Sequence, residues 1–265
     1  MPIEYMYITN NPALARICED AGVDRIFVDM EWRGKAERQK GMDSVKSHHT
    51  PADVANVRRV LRRARLLVRV NPAWDGTREE VEGALTGGAD MLMLPMARNL
   101  RDAHCFLDAV NGRATTVLLL ETIDAERNLE SLLKAGFDEV HIGLNDLSLE
   151  RGLPFMFSLL ADGTVEQLCA RLRKRGIPYG FGGVARLEGG RLPSGNILME
   201  HVRLGSSRAI LSRSFFNAAQ MKDIAEAQAV FPREVARLRR AEADFRKMPA
   251  AVLEANRRRI KELCA

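Results

Sequence analysis

Eight short, almost wholly apolar runs recur along this 265-residue chain, each separated from the next by a longer segment. They lie at 5–8, 25–29, 66–70, 91–94, 116–120, 140–143, 179–182 and 209–211. A strand with one wet face alternates apolar and polar residues. "MLML" at 91–94 and "VLLL" at 117–120 do not alternate, so both of their faces must be covered. Between the runs, 12–21, 51–63, 78–86, 100–111, 125–134 and 165–174 carry the spacing of amphipathic helices. Gly22, Gly87-Gly88, Gly136 and Gly176 follow where a helix end calls for a left-handed residue. Strands and helices in alternation predict a parallel α/β architecture, and eight units predict a (β/α)8 TIM barrel. A doubly wound sheet is the alternative, but no GxGxxG follows the first strand, and Gly180-Phe181-Gly182-Gly183 comes late.

Two segments exceed a minimal barrel. Residues 33–50 form a long polar connection after strand two. Residues 217–265 are charged and helix-rich, with breaks expected at Phe231-Pro232 and Met248-Pro249. The barrel is assigned to residues 1–216 and an extra helical C-terminal arm to 217–265. Oligomerisation is the expected use of the arm, with packing on its own barrel as the alternative.

Composition removes several function classes. No stretch approaches the roughly 18 apolar residues of a membrane helix, and the first residues lack a signal-peptide pattern, so a soluble, cytoplasmic protein is expected. Cys18, Cys105, Cys169 and Cys264 form no CxxC and are read as reduced thiols in helices. The net charge is +5, with arginines clustered at Arg58-Arg59, Arg62-Arg63, Arg239-Arg240 and Arg257-Arg258-Arg259. Without aromatics or a recognition motif beside them, these clusters predict solvated helix faces and no nucleic-acid partner. A positive field also suits a small anionic substrate.

In a barrel the C-terminal ends of the strands face one common mouth, where the chemistry takes place. Those ends carry Asp29-Met30-Glu31-Trp32, Arg69-Val70-Asn71, Pro95-Met96, Glu121, Gly143 with Asn145-Asp146, Arg186, and Ser212-Arg213. Charges there must be paired, solvated or bound to a metal. Glu121 and Asp146 close neighbouring strands, and two such carboxylates can hold one hard divalent cation while leaving positions for water and substrate. An all-oxygen site favours Mg²⁺ or Mn²⁺ over zinc. The plainer alternative is that each acid caps a helix or pairs with a lysine. Gly182-Gly183, Arg186, Ser212 and Arg213 end strands seven and eight, where barrels often bind phosphate, with ion pairs sealing the rim as the alternative.

DxE at strand two, VRV at strand three, GADMLMLPM at strand four, LLLET at strand five and HIGLNDLS at strand six stand in this order over residues 22–215. In these motifs the chain resembles the HpcH/HpaI aldolase and citrate lyase beta-subunit family. The resemblance implies a barrel of the phosphoenolpyruvate/pyruvate superfamily and a divalent-metal-dependent carbon–carbon lyase of the class II aldolase type. It also implies trimers or hexamers that exchange the C-terminal helix. By the same resemblance, Glu121 and Asp146 are the metal carboxylates, Arg69 is the arginine on the substrate carbonyl, and Glu31 is the acid at strand two. The family's aldolases usually place a histidine base directly after that acid; here Trp32 stands there.

The expected substrate is therefore a small oxo acid, phosphorylated or a sugar acid among the options. Pro95, Gly143, Asn145, Arg186, Ser212 and Arg213 join Arg69 as candidate substrate contacts. His48 and His49, in the loop after strand two, are the candidate replacement bases, although Thr50-Pro51 beside them also reads as the start of a helix. Two alternatives stay open. One is a lyase acting on a hydroxyacyl-CoA thioester or an unusual sugar acid; the other is a barrel that binds metal and ligand without turnover.

Overall fold

The computed structural model describes residues 2–34 and 49–264. Its strands are β1 (Glu4–Ile8), β2 (Arg25–Asp29), β3 (Arg65–Arg69), β4 (Met91–Leu94), β5 (Thr115–Leu120), β6 (Glu139–Ile142), β7 (Tyr179–Phe181), β8 (Gly183–Val184) and β9 (Arg208–Leu211). All pair in parallel, in the order β7-β6-β5-β4-β3-β2-β1-β9-β8. β7 and β8 are two halves of one strand, interrupted at Gly182, whose φ is +51°. The ring closes across this strand: Ser207 N–H donates to the Tyr179 carbonyl at 2.9 Å, and Ser212 N–H to that of Val184 at 2.9 Å. The chain is thus a (β/α)8 barrel, and the eight expected strands are found within a residue or two of their predicted limits.

Helices α1 (Pro12–Asp20), α2 (Pro51–Val60), α3 (Thr77–Thr86) and α4 (Leu100–Val110) fall where helical spacing placed them. Thr50 opens α2 with a complete capping box against Asp53. The helix expected at 125–134 is split at Asn128 into α5 (Ile123–Arg127) and α6 (Leu129–Lys134). The chain continues through α7 (Leu144–Glu150), α8 (Ser158–Ala161), α9 (Thr164–Lys174), α10 (Ser194–Leu204), α11 (Ile224–Phe245) and α12 (Ala250–Cys264). The break expected at Phe231-Pro232 does not occur; α11 runs through Pro232. Proline removes one helical hydrogen bond. Here it sits on the exposed side, while buried Phe231 anchors the helix against Tyr7, Phe215 and Phe216.

Helix α11 lies between α1 and α10, the place of an eighth barrel helix, and α12 lies across α10 and α8. Buried Asn256 fixes α12 by bonding to the Asn196 side chain and carbonyl and to Glu200. In this chain the C-terminal segment therefore packs on its own barrel. All four cysteines are free and helical. Among the described residues, no helix is long and apolar enough to cross a membrane.

Side chains alternate across the barrel wall, so two apolar clusters form. The larger fills the space between strands and helices; the smaller, Met6, Phe27, Leu67, Met91, Met93, Val117 and Leu119, fills the lumen. Beneath the lumen cluster the inward positions are charged. Glu139 grips two buried guanidinium groups, Arg25 at 2.7 and 3.0 Å and Arg208 at 2.9 and 3.0 Å, and Glu4 also accepts from Arg25. These bonds hold the Glu139 carboxyl at a pKa of about 2, despite a burial that would raise it.

Removing Glu139 would take the carboxylate from buried Arg208 and leave buried Arg25 with Glu4 alone. Glu139→Ala is expected to destabilise the fold by about 3–5 kcal/mol in urea denaturation at pH 7. Ordinary carboxyls of the unfolded chain titrate near 4.5, above the folded value. The contribution is therefore complete above pH 4.5 and is lost as pH falls toward 2, so the variant's deficit should shrink over that window.

Candidate active site

The mouth of the barrel is built from β2, β3, β5 and the segment after β6. Asp29 and Arg69 are directly opposed in the β2–β3 register, and both point inward. Arg69 donates through Nε and Nη2 to the two Asp29 carboxylate oxygens at 2.9 and 2.8 Å, and its Nε lies 3.4 Å from Glu31. The guanidinium also lies over the Phe27 ring, 5.5 Å from its centroid. These carboxylates raise its pKa above the ordinary arginine value. A two-pronged carboxylate bond fixes the plane of the guanidinium and leaves three of its five N–H groups outside that pair.

Beyond Asp29 the chain turns so that Glu31 goes inward and Trp32 outward. Asn71 Oδ1 accepts from Trp32 N–H at 2.9 Å and Arg33 N–H at 2.8 Å, while Glu80 holds the Asn71 amide. Glu31 is buried, and Trp32 is 55% exposed. Trp32 thus occupies the histidine's place in sequence but faces away from the acids.

Glu121 follows β5 and is not a helix cap; Thr122 caps α5 instead. Thr122 Oγ1 also donates to the Ala97 carbonyl at 3.0 Å, tying this turn to the one after β4. There Met96 has a φ of +52°, a conformation that costs a non-glycine residue energy and is typical of functional sites. In this conformation Met96 N–H donates to Glu121 Oε1 at 3.1 Å. On the other side, a Cβ on Gly143 would lie 2.7 Å from Glu121 Cβ and 2.8 Å from its Oε2. Glycine at 143 is what allows the carboxylate to stand there.

Asp146 lies in the first turn of α7, three residues beyond Gly143, rather than at a strand end as the sequence suggested. Burial raises the pKa of Glu121 well above the ordinary carboxyl value. The charges of Asp146 and Glu31 raise it further, while Arg69 and the Met96 N–H act in the opposite direction. Several acids thus share one buried arginine.

These groups open onto a cavity of about 180 Å³ whose walls include Phe27, Arg69, Met93, Leu119, Glu121, His141, Gly143, Asn145 and Asp146. Of the expected site residues, Arg69, Glu121, Gly143, Asn145 and Asp146 thus come together, with Glu31 against Arg69. Others do not line this cavity. Pro95 is buried in the turn before Met96. Arg186 Nε donates to the Phe215 carbonyl at 2.9 Å. Ser212 packs behind Gly183, and Arg213 is exposed. His49 lines a separate groove with Trp32, Asn71 and Trp74, and its Nδ1 accepts the Asp29 N–H at 2.9 Å. Its proton is then on Nε2. His48 lies outside the described residues.

Sequence reasoning placed Asp29, Asn71 and Met96 at strand ends and His141 in the strand-six motif, but gave none of the four a role in the site. Asp29 and His141 had a signal: counting by twos from Phe27 and from Gly143 places both inside the barrel. The positive φ of Met96 had none. Among the described residues, no group of three or more His, Cys, Asp or Glu side chains is arranged to hold a metal.

Gly143→Ala is expected to fold but to displace Glu121, losing about 1–3 kcal/mol in thermal or urea denaturation. In contrast, Glu121→Gln should stabilise the ligand-free protein by about 1 kcal/mol at pH 8, since it removes the repulsion. The folded Glu121 carboxyl titrates above its unfolded value, so wild-type stability declines as pH rises through the folded value, and the variant's gain should grow with pH. No family model matches the chain, and no curated protein matches it.

Proposed function

We propose that this chain is a divalent-metal-dependent carbon–carbon lyase that cleaves or forms a hydroxy-oxo acid through the enolate of pyruvate. The observation that carries this reading is the gathering of Glu121, Asp146 and Glu31 around Arg69 at a small cavity in the barrel mouth. The motif resemblance at strands two to six points the same way.

The donor set fits Mg²⁺ or Mn²⁺. Two carboxylates are the usual protein share for such ions, the remaining positions going to water and substrate. Glu121 and Asp146 would hold the ion, and its positive charge would act on the carboxylate and keto oxygens of a bound oxo acid. Arg69, permanently charged and pre-oriented by Asp29, stabilises negative charge on the keto oxygen as the carbon–carbon bond breaks. Phe27, Met93 and Leu119 form an apolar floor that excludes water and strengthens these charges. Among the described residues no lysine lines the cavity, so Schiff-base chemistry has no candidate there.

One observation favours a second reading, a barrel that binds metal and acid without turnover. Trp32 faces outward, and the nearby His49 is committed to Asp29 in another groove. The resemblance further implies trimers or hexamers, which sedimentation of the purified protein would reveal.

Incubation with Mg²⁺ or Mn²⁺ and a panel of 4-hydroxy-2-oxo acids, with pyruvate followed through lactate dehydrogenase, separates these readings. Pyruvate release is expected, with loss on adding EDTA and a fall of about 100-fold or more in Glu121→Gln, Asp146→Asn and Arg69→Met. Turnover indifferent to EDTA and to these substitutions would end the proposal. Metal-dependent oxalate binding without turnover of any acid would favour the non-catalytic barrel.

A further inference from the structure

Among the described residues, His141 is the one polar side chain set with Ile8, Phe27, Met93, Leu119 and Ile210 in the floor of the mouth cavity. It is 2% exposed, and among the described residues neither Nδ1 nor Nε2 makes a well-formed hydrogen bond, although the Gly182 backbone lies near enough to favour the protonated ring. A buried ring so weakly bonded disfavours the empty fold, since buried polar groups are normally bonded. The neighbouring strand carries glycines alongside the ring. His141 is in register with Gly180, and Gly182 and Gly183 line the cavity beside it. No side chain can be added at Gly180, where a Cβ would lie 2.3 Å from the Arg208 carbonyl oxygen.

Burial, with Arg25, Arg208 and Arg69 adding to it, lowers the imidazole pKa to about 4, against an opposing influence of the Gly182 backbone. The ring is therefore neutral at pH 7 and presents one N–H donor and one lone pair. A hydroxyl is the small group that can meet either nitrogen, as acceptor or as donor.

We propose that His141 is a ligand-contacting, specificity-determining residue of the mouth cavity, selecting oxo acids that carry a hydroxyl at their buried end. This rests on the oxo-acid reading of the site. It accounts for a polar residue kept where the rest of the floor is apolar, and it adds a contact that the acids and Arg69 do not supply. His201 serves as an internal control. It too is buried with Nε2 unpartnered among the described residues, but it sits on α10, bonded through Nδ1 to Ser206 and stacked on Phe181.

The test compares 3-hydroxypyruvate with pyruvate by titration calorimetry in Mg²⁺, on wild type, His141→Phe, His141→Gln and Glu121→Ala. Wild type is expected to prefer hydroxypyruvate about tenfold, a preference that disappears in His141→Phe and partly returns in His141→Gln. Without ligand, His141→Phe should melt higher than wild type, whereas a purely structural histidine would make it melt lower. In ¹⁵N-histidine spectra, hydroxypyruvate should move the His141 ring signals and leave those of His201. A preference that survives in His141→Phe, equal binding of both acids by wild type, or unmoved His141 signals overturns the inference. Binding that survives Glu121→Ala, with a preference still dependent on His141, would overturn the carboxylate-pair reading and sustain this one. Failure of wild type to bind either acid overturns both.

Discussion

In a closed barrel of parallel strands every second side chain must point into the lumen, where neither water nor a helix can cover it. Whatever the strands carry at those positions has to be satisfied by other inward residues. This chain meets the constraint in layers. Glu4, Arg25, Glu139 and Arg208 form an ionic base, Met6, Leu67, Met91 and Val117 an apolar middle, and Asp29, Arg69 and the other acids a charged mouth. A buried charge is tolerable only with strong partners, and in the base Glu139 serves two guanidinium groups at once.

The mouth is solved differently. Arg69 is over-supplied with acids, and burial, with Asp146 and Glu31 beside it, makes the Glu121 carboxyl resist ionisation. The surrounding structure works to keep it there: a left-handed Met96 supplies an N–H, Thr122 ties two turns together, and Gly143 leaves the space. Strain and like-charge repulsion held in one place by packing are features of sites that bind something. His141 below adds the same kind of tension, a polar ring among apolar neighbours.

Much of this was legible in the chain. Continuous apolar runs with no wet face, helical spacing between them and glycine at helix ends allowed little besides a parallel α/β barrel, because backbone hydrogen bonding and burial must both be met locally. Arg69, Glu121 and Asp146 were visible because charged residues at or just beyond the ends of apolar strands have few structural uses. The passage of α11 through Pro232 was not visible, since tertiary anchoring by Phe231 outweighs the local penalty.

What the sequence determined by itself was therefore the order of elements and the residue types at the mouth, both of which follow from periodicity along the chain. Only the tertiary structure decided which of those residues meet. It drew Asp29 and Glu31 onto Arg69, left Arg186 and Arg213 away from the cavity, turned Trp32 outward and set His141 into the floor. The physical reason is that side-chain meetings depend on strand register, backbone dihedrals at single turns and the closure of the ring, none of which has a local signature in the sequence.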